Sequence, residues 1–187
     1  MITLVFFLEE ISAKVLLEGL LPRVVAKGQV NWRLIPFEGK QDLERQLVRK
    51  MRSWRTPNTR FIVLRDQDAG NCEKVKKGLV ALCREANQPQ ALVRVACREI
   101  ESWYLGDLAA VEVALKVEGL VGKQNKSRFR NPDSLPNPSI ELEKLTAGKY
   151  QKVSGSRAIG PYLHLDESNL SHSFHSFLAG IRQLLRR

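Results

Sequence analysis

The stretch RFIVLRDQDAGN, residues 60–71, decides how this chain folds. Phe61 to Leu64 is a short apolar run, bounded by charge on both sides and followed by Gly70. That pattern reads as a buried strand from Arg60 to Leu64. Two carboxylates, Asp66 and Asp68, stand where the strand runs out. On an extended backbone residues i and i+2 point to one face, so the two acids are expected side by side. Their like charges repel unless a cation or a set of donors lies between them.

The same alternation continues on either side. Residues 3–8, TLVFFL, read as a first strand, and a helix follows over residues 12–25 with Val15, Leu16, Leu20 and Val24 at helical spacing. Residues 30–37 form a second strand. The next helix carries Leu43, Leu47, Val48, Met51 and Trp54 on one side and Arg45, Arg49 and Arg52 on another. Residues 71–86 are the helix after the third strand, and ALVRVAC, residues 91–97, is a fourth strand running into a helix from about Glu101. Strands alternating with helices predict an α/β fold: a central parallel sheet of about four strands with right-handed crossovers, flanked by helices.

In such sheets the ligand site lies beyond the carboxyl ends of the strands. Acidic residues stand at every exit: Glu9-Glu10, Glu38, Asp66-x-Asp68 and Glu99-x-Glu101. Hard divalent cations take oxygen ligands and are often held by one or two carboxylates plus substrate phosphates. Glu9, Asp66 and Asp68 are therefore the candidate ligands for Mg²⁺ or Mn²⁺, although a single Asp at this point also serves to cap the following helix. One of Glu9 and Glu10 is expected to face the site and the other to turn away. Glu99 and Glu101 share a face if the strand continues and diverge if the helix has begun.

Beyond residue 117 the chain turns irregular and basic. Residues 1–117 are read as the α/β core, and 118–187 as a basic loop and helical extension packing on it. Within that extension residues 140–145 read as a short helix, and KVSGSR, residues 152–157, as a loop offering two cations and open backbone N–H groups. Phe174, Phe177, Leu178, Ile181 and Leu185 keep helical spacing and predict a terminal helix docked on the core. Trp103 and Tyr104 read as core packing, with an aromatic platform for a base as the alternative.

The net charge of the 187 residues is +10. Residues 31–60 hold eight basic and three acidic residues, and residues 116–157 hold nine and four, so each zone is net +5 and the remainder sums to zero. Two basic zones around an acidic centre point to a polyanion guided onto a metal-loaded site. Cys72, Cys83 and Cys97 have no paired spacing, which argues against a disulfide framework or zinc site and for a cytoplasmic setting. No apolar run reaches membrane length. There is no G-x-x-x-x-G-K-[ST], no G-x-G-x-x-G after the first strand and no G-x-S-x-G, so P-loop ATP binding, dinucleotide binding and a hydrolase triad are not expected.

Six blocks, FFLEEISAKVLLEGLLPRV, EGKQDLERQLVRKMRSW, FIVLRDQD, ACREIESWYLGDLAAV, FRNPD and YQKVSGSRAI, together resemble the bacterial domain-of-unknown-function family 4276 over nearly the whole chain. The resemblance implies a Toprim-like, Rossmann-like fold, shared with topoisomerases, primases and OLD-type nucleases. It also implies a separate ATPase subunit as partner, in settings connected with phage defence. In Toprim domains a Glu after the first strand and a D-x-D after a later one hold Mg²⁺, roles that fall on Glu9, Asp66 and Asp68. Ile11 stands where the family has Pro, and Glu10 where Toprim domains often have Gly.

The expected activity is a Mg²⁺-dependent phosphodiesterase acting on nucleic acid, DNA or RNA. In it Glu99 or Glu101 completes the metal shell or acts as general base, and Lys40, Arg98, Lys152 and Arg157 contact phosphates. The rival expectation is a non-catalytic nucleic-acid-binding or regulatory partner of the ATPase.

Overall fold

A computed structural model describes residues 1–25, 28 and 30–186. Strands β1 (Ile2–Leu8), β2 (Val30–Pro36), β3 (Thr59–Asp66) and β4 (Leu92–Ala96) form one sheet in the order β2-β1-β3-β4. Every pairing is parallel. Helices α1 (Ile11–Val24), α2 (Lys40–Ser53) and α3 (Cys72–Glu85) make the crossovers. After β4 come α4 (Glu101–Leu105), α5 (Leu108–Leu115), three short 3-10 turns within residues 121–134, α6 (Pro138–Leu145), α7 (Lys152–Ile159) and α8 (His172–Arg186).

Side-chain alternation along the strands divides the core. Leu4, Phe6, Leu8, Ile62 and Leu64 face one cluster, filled from α1, α4, α5, α7 and α8. Val5, Phe7, Phe61 and Val63 face the other, filled by α2 and α3. Both faces of the sheet are covered, which is why its strands read as apolar runs rather than as alternating ones. The first cluster draws on residues before and after position 117 alike, from Leu4 to Leu184. No helix among the described residues is long and apolar enough to cross a membrane.

Three expectations shift, and the reading of Trp103 as core packing holds. Strand β3 runs two residues past Leu64, because Arg65 and Asp66 stay in register with Val95 and Ala96 of β4. The helix expected to run on from Glu101 breaks at Gly106 and restarts under a new cap, with Asp107 Oδ1 accepting from Ala110 N at 3.1 Å. Residues 152–157 are helix α7 and not a loop. Ile159 anchors that helix in the core, and Gly155 gives room for the ring of Tyr150, against which any Cβ would collide. Trp103 is fully buried and donates Nε1–H to Ser173 Oγ at 2.8 Å, so it packs the core and offers no platform to a base.

Candidate functional site

The chain leaves β1 toward β2 and leaves β3 toward β4, so the topological switch point lies between β1 and β3 at their carboxyl ends. Ligands of open α/β sheets bind in that crevice. Glu9 and Asp66 occupy its two sides. Backbone pairing carries past β1, with Glu9 N donating to Leu64 O at 3.3 Å and Gly39 N to Glu9 O at 2.9 Å. Glu9 Oε2 then bridges the crevice, accepting from Asp66 N at 3.0 Å. Both glutamates line the pocket beside Asp66: Glu9 is turned onto the β3 backbone, and Glu10 Oε1 accepts from Ser12 Oγ at 2.9 Å and pairs with Lys152 Nζ at 2.5 Å.

Asp66 is buried, 6% exposed, and its Oδ1 accepts from Ile100 N at 3.0 Å. Burial, followed by the charges of Glu101, Glu9 and Glu10, drives its carboxyl well above the usual range. Burial also raises Glu9, with Asp68 adding to the rise and the Asp66 N–H opposing it. Arg65 lies on the Glu9 side of the sheet and is bonded to Glu44. Its Nε is 3.8 Å from Glu9 Oε2, too far for a hydrogen bond, and has no partner.

Asp68 does not stand beside Asp66 on a continuing strand. The strand ends at Asp66, and Asp68 takes a left-handed φ of 56°. Its backbone N donates to Arg98 O at 2.7 Å, and Arg98 is itself left-handed at φ 60°. Gln67 pins this pair of turns, accepting from Arg98 N through Oε1 at 3.1 Å and donating to Gly70 O at 2.8 Å. Asp68 and Arg98 are two of the six described non-glycine residues at positive φ, and of the two Asp tolerates that region better than Arg. Lys40, the first residue of α2, donates Nζ–H to Asp68 Oδ2 at 2.7 Å. Neither Asp caps α3, because Asn71 accepts from Lys74 N instead.

With the helix begun at Glu101, the last pair of glutamates diverges. Glu99 Oε2 accepts from Ser139 N at 2.8 Å, in the first turn of α6. It also lines a cleft of about 150 Å³ with Asp68, Ala69, Arg98, Pro136 and Asn137. Glu101 is 0% exposed, with Oε1 accepting from Tyr150 Oη–H at 2.7 Å and Oε2 left without a partner. Burial, opposed by the Tyr150 bond and the Lys152 charge, raises its pKa. Tyr104 Oη is also buried without a partner. Burial works against the charge of Lys152, but the bond to Glu10 and the charges of Glu101 and Asp66 outweigh it. Lys152 thus serves the carboxylates from the far end of the chain.

The structure therefore brings together Glu9, Asp66, Asp68, Glu99, Glu101, Lys40, Arg98 and Lys152 around the strand ends. Arg157 is exposed on α7. Sequence reasoning missed Tyr150, the partner of Glu101, and the role of Glu10. A tyrosine just before a glycine-containing helix carries no signal of its own.

Among the described residues no group of three or more His, Cys, Asp and Glu side chains is arranged to hold a metal ion. The hydrogen bonds explain the pose: Glu9 is turned onto Asp66 N, Asp66 onto Ile100 N and Asp68 onto Lys40. These bonds use one oxygen of each carboxylate. As chemistry the donor set suits a hard cation, since buried acids that repel one another are relieved by it. In this pose Asp68 must first release Lys40.

The chain is a parallel α/β sheet with desolvated acids at its switch point, the place where open α/β sheets bind their ligands. The family model described as Domain of unknown function (DUF4276) matches residues 8–182, and the chain belongs to that family. No curated protein and no solved structure matches it.

Proposed function

We propose that this chain is a Toprim-like phosphodiesterase that uses Mg²⁺ or Mn²⁺ to cleave nucleic acid in the cytoplasm, with a separate ATPase subunit as its partner in a defence or DNA-processing system. The observation that carries the proposal is the crossing of Glu9 Oε2 onto Asp66 N at the switch point, beside the left-handed Asp68–Arg98 turns. Glu9, Asp66 and Asp68 would hold the ion, which when bound supplies charge stabilisation for the leaving oxygen.

The protein's own groups have distinct roles. Lys40 guards Asp68 and, once displaced from it, is an ammonium free for a phosphate. Arg98 lines the 150 Å³ cleft next to Asp68, where a guanidinium can grip a phosphate through two bonds. Glu99 reaches that cleft, so of the two later glutamates it is the one placed to take a proton from water. Glu101 is buried behind Asp66 and positions the site together with Tyr150 and Lys152. Arg45, Arg49 and Arg52 on α2 extend the basic surface, though Arg45 is paired with Asp42 at 2.6 Å and Arg52 donates to Glu85 O at 2.6 Å.

One observation favours the second reading, a non-catalytic nucleic-acid-binding or regulatory subunit: the resting pose satisfies Asp68 with Lys40. Cleavage of labelled single- and double-stranded DNA and RNA, with Mg²⁺ and Mn²⁺, separates the two. Asp68→Asn keeps size and hydrogen bonding, so folding and binding should survive while cleavage drops by orders of magnitude. Wild-type protein that binds nucleic acid but never cuts it, alone or with its ATPase, would establish the regulatory reading.

A further inference from the structure

Strand β4 is one of the two edge strands of the sheet and, among the described residues, is paired on one side only, with β3. Along its open side run two clefts of about 350 and 190 Å³, which share Lys76, Val93 and Arg94. Their walls are α3, through Lys76 and Val80, and α8, through Ser176 and Gly180. The helices flank the strand edge, and Arg94 bridges it to α8. Gly180 keeps α8 close, since a Cβ there would stand 2.7 Å from Arg94 Nη2 and 2.9 Å from Leu92 Cδ2.

The groove is cationic. Arg94 lies across its middle, donating Nε–H to Ser176 O at 2.9 Å and Nη1–H to Val93 O at 3.0 Å. Neither Arg94 nor Lys76 is within ion-pair distance of a carboxylate among the described residues. The one carboxylate lining the two clefts is Asp133, and it is engaged at the start of α8, accepting from Ser171 Oγ at 2.7 Å and from Ser173 N at 2.8 Å.

We propose that this groove is a docking site for an extended acidic segment of another polypeptide, added to β4 as a fifth strand. An open strand edge presents N–H and C=O groups that another backbone can match; on β4 the incoming strand displaces Arg94 from Val93 O, which frees the guanidinium for the strand's acid. Flanking helix walls bury alternate side chains of the incoming strand, and Lys76 and Arg94 select for acid on it. A nucleic acid satisfies the cations but not the strand edge. A second copy of this chain brings Arg94 and Lys76 against their own images, where like charges repel. The proposal does not depend on the strand-end site.

The test uses the full chain and a fluorescein-labelled peptide of about eight residues, a common strand length, alternating Val and Glu. Anisotropy should rise saturably, and a Val/Lys peptide should not bind. Methylating the backbone nitrogens of alternate residues leaves the charge intact and removes the strand's donors, so it should weaken binding about tenfold or more. Lys76→Glu, on an exposed helix face, should weaken the Val/Glu peptide without unfolding the protein. Equal affinity for methylated and unmethylated peptides, absence of saturable binding, displacement of the peptide by an oligothymidylate, or a stable dimer that the peptide fails to dissociate would each overturn the proposal.

Discussion

Glu101→Gln tests the electrostatics of the strand-end site without touching the crevice itself. The native carboxyl is fully buried, accepts one bond from Tyr150 and leaves Oε2 unpartnered. A buried polar group left unsatisfied costs about 1–3 kcal/mol, and more when it carries charge. Glutamine keeps the acceptor toward Tyr150 and removes the charge next to Asp66, so what is left unpartnered at the second position is a neutral group. The variant should therefore be more stable than the wild type at pH 7–8 by about 1–3 kcal/mol. At roughly 2–4 °C per kcal/mol for a chain of this size, its melting temperature should rise by about 2–12 °C.

The pH dependence has a definite sign. Glu101 holds its proton more tightly when folded than when unfolded, because burial raises its pKa from the ordinary 4.5. Stability from this group is therefore lost as pH rises from about 4.5 through the folded value. Glu101→Gln removes that slope, so its advantage over the wild type should grow from pH 5 to pH 8 in thermal melts. Tyr150→Phe does the reverse, stripping Glu101 of its one bond, and should lower the melting temperature. A Glu101→Gln protein that melts lower than wild type at pH 8, with an unchanged pH slope, would show that the buried charge is compensated and would refute this reading of the site.

Lys40→Met should free Asp68, so that half-maximal thermal stabilisation comes at lower Mg²⁺ than in the wild type, while affinity for nucleic acid falls. Replacing Arg45, Arg49 and Arg52 together should flatten the salt dependence of duplex binding, by about 0.9 log units per log unit of salt for each phosphate no longer neutralised, with the circular dichroism spectrum intact because Leu43, Leu47 and Met51 hold the opposite face. Burial holds the Cys83 and Cys97 thiols at about 11, so alkylation of both by iodoacetamide should be slow at pH 8 and accelerate toward that value or on unfolding. Gly155→Ala should lower the melting temperature, because the new Cβ collides with the Tyr150 ring that holds Glu101.

The α/β class and the four parallel strands were legible because each strand is an apolar run and each crossover helix has a periodic apolar face. Acid at the strand exits was legible for the same reason, since strand ends can be counted. The pairing of those acids was not. The same-face expectation for Asp66 and Asp68 fails at the left-handed φ of Asp68, a backbone choice tied to Arg98, which lies 30 residues away in sequence. Residues 152–157 read as a loop because Val153, two serines and one glycine carry weak helical propensity. Packing of Ile159 and room for Tyr150 override that weakness. The match of Lys152 with Glu10 joins two ends of the chain, and no local pattern records it.

The most direct measurement is the Mg²⁺ dependence of the melting temperature of the wild type and of the Asp66→Ala, Asp68→Ala double variant. At about 100 times its dissociation constant a bound ion adds roughly 2.7 kcal/mol, so the wild type should melt roughly 5–11 °C higher in saturating Mg²⁺. The double variant should show no such rise. An equal rise in both proteins, or none in the wild type, would contradict a metal site at Glu9, Asp66 and Asp68.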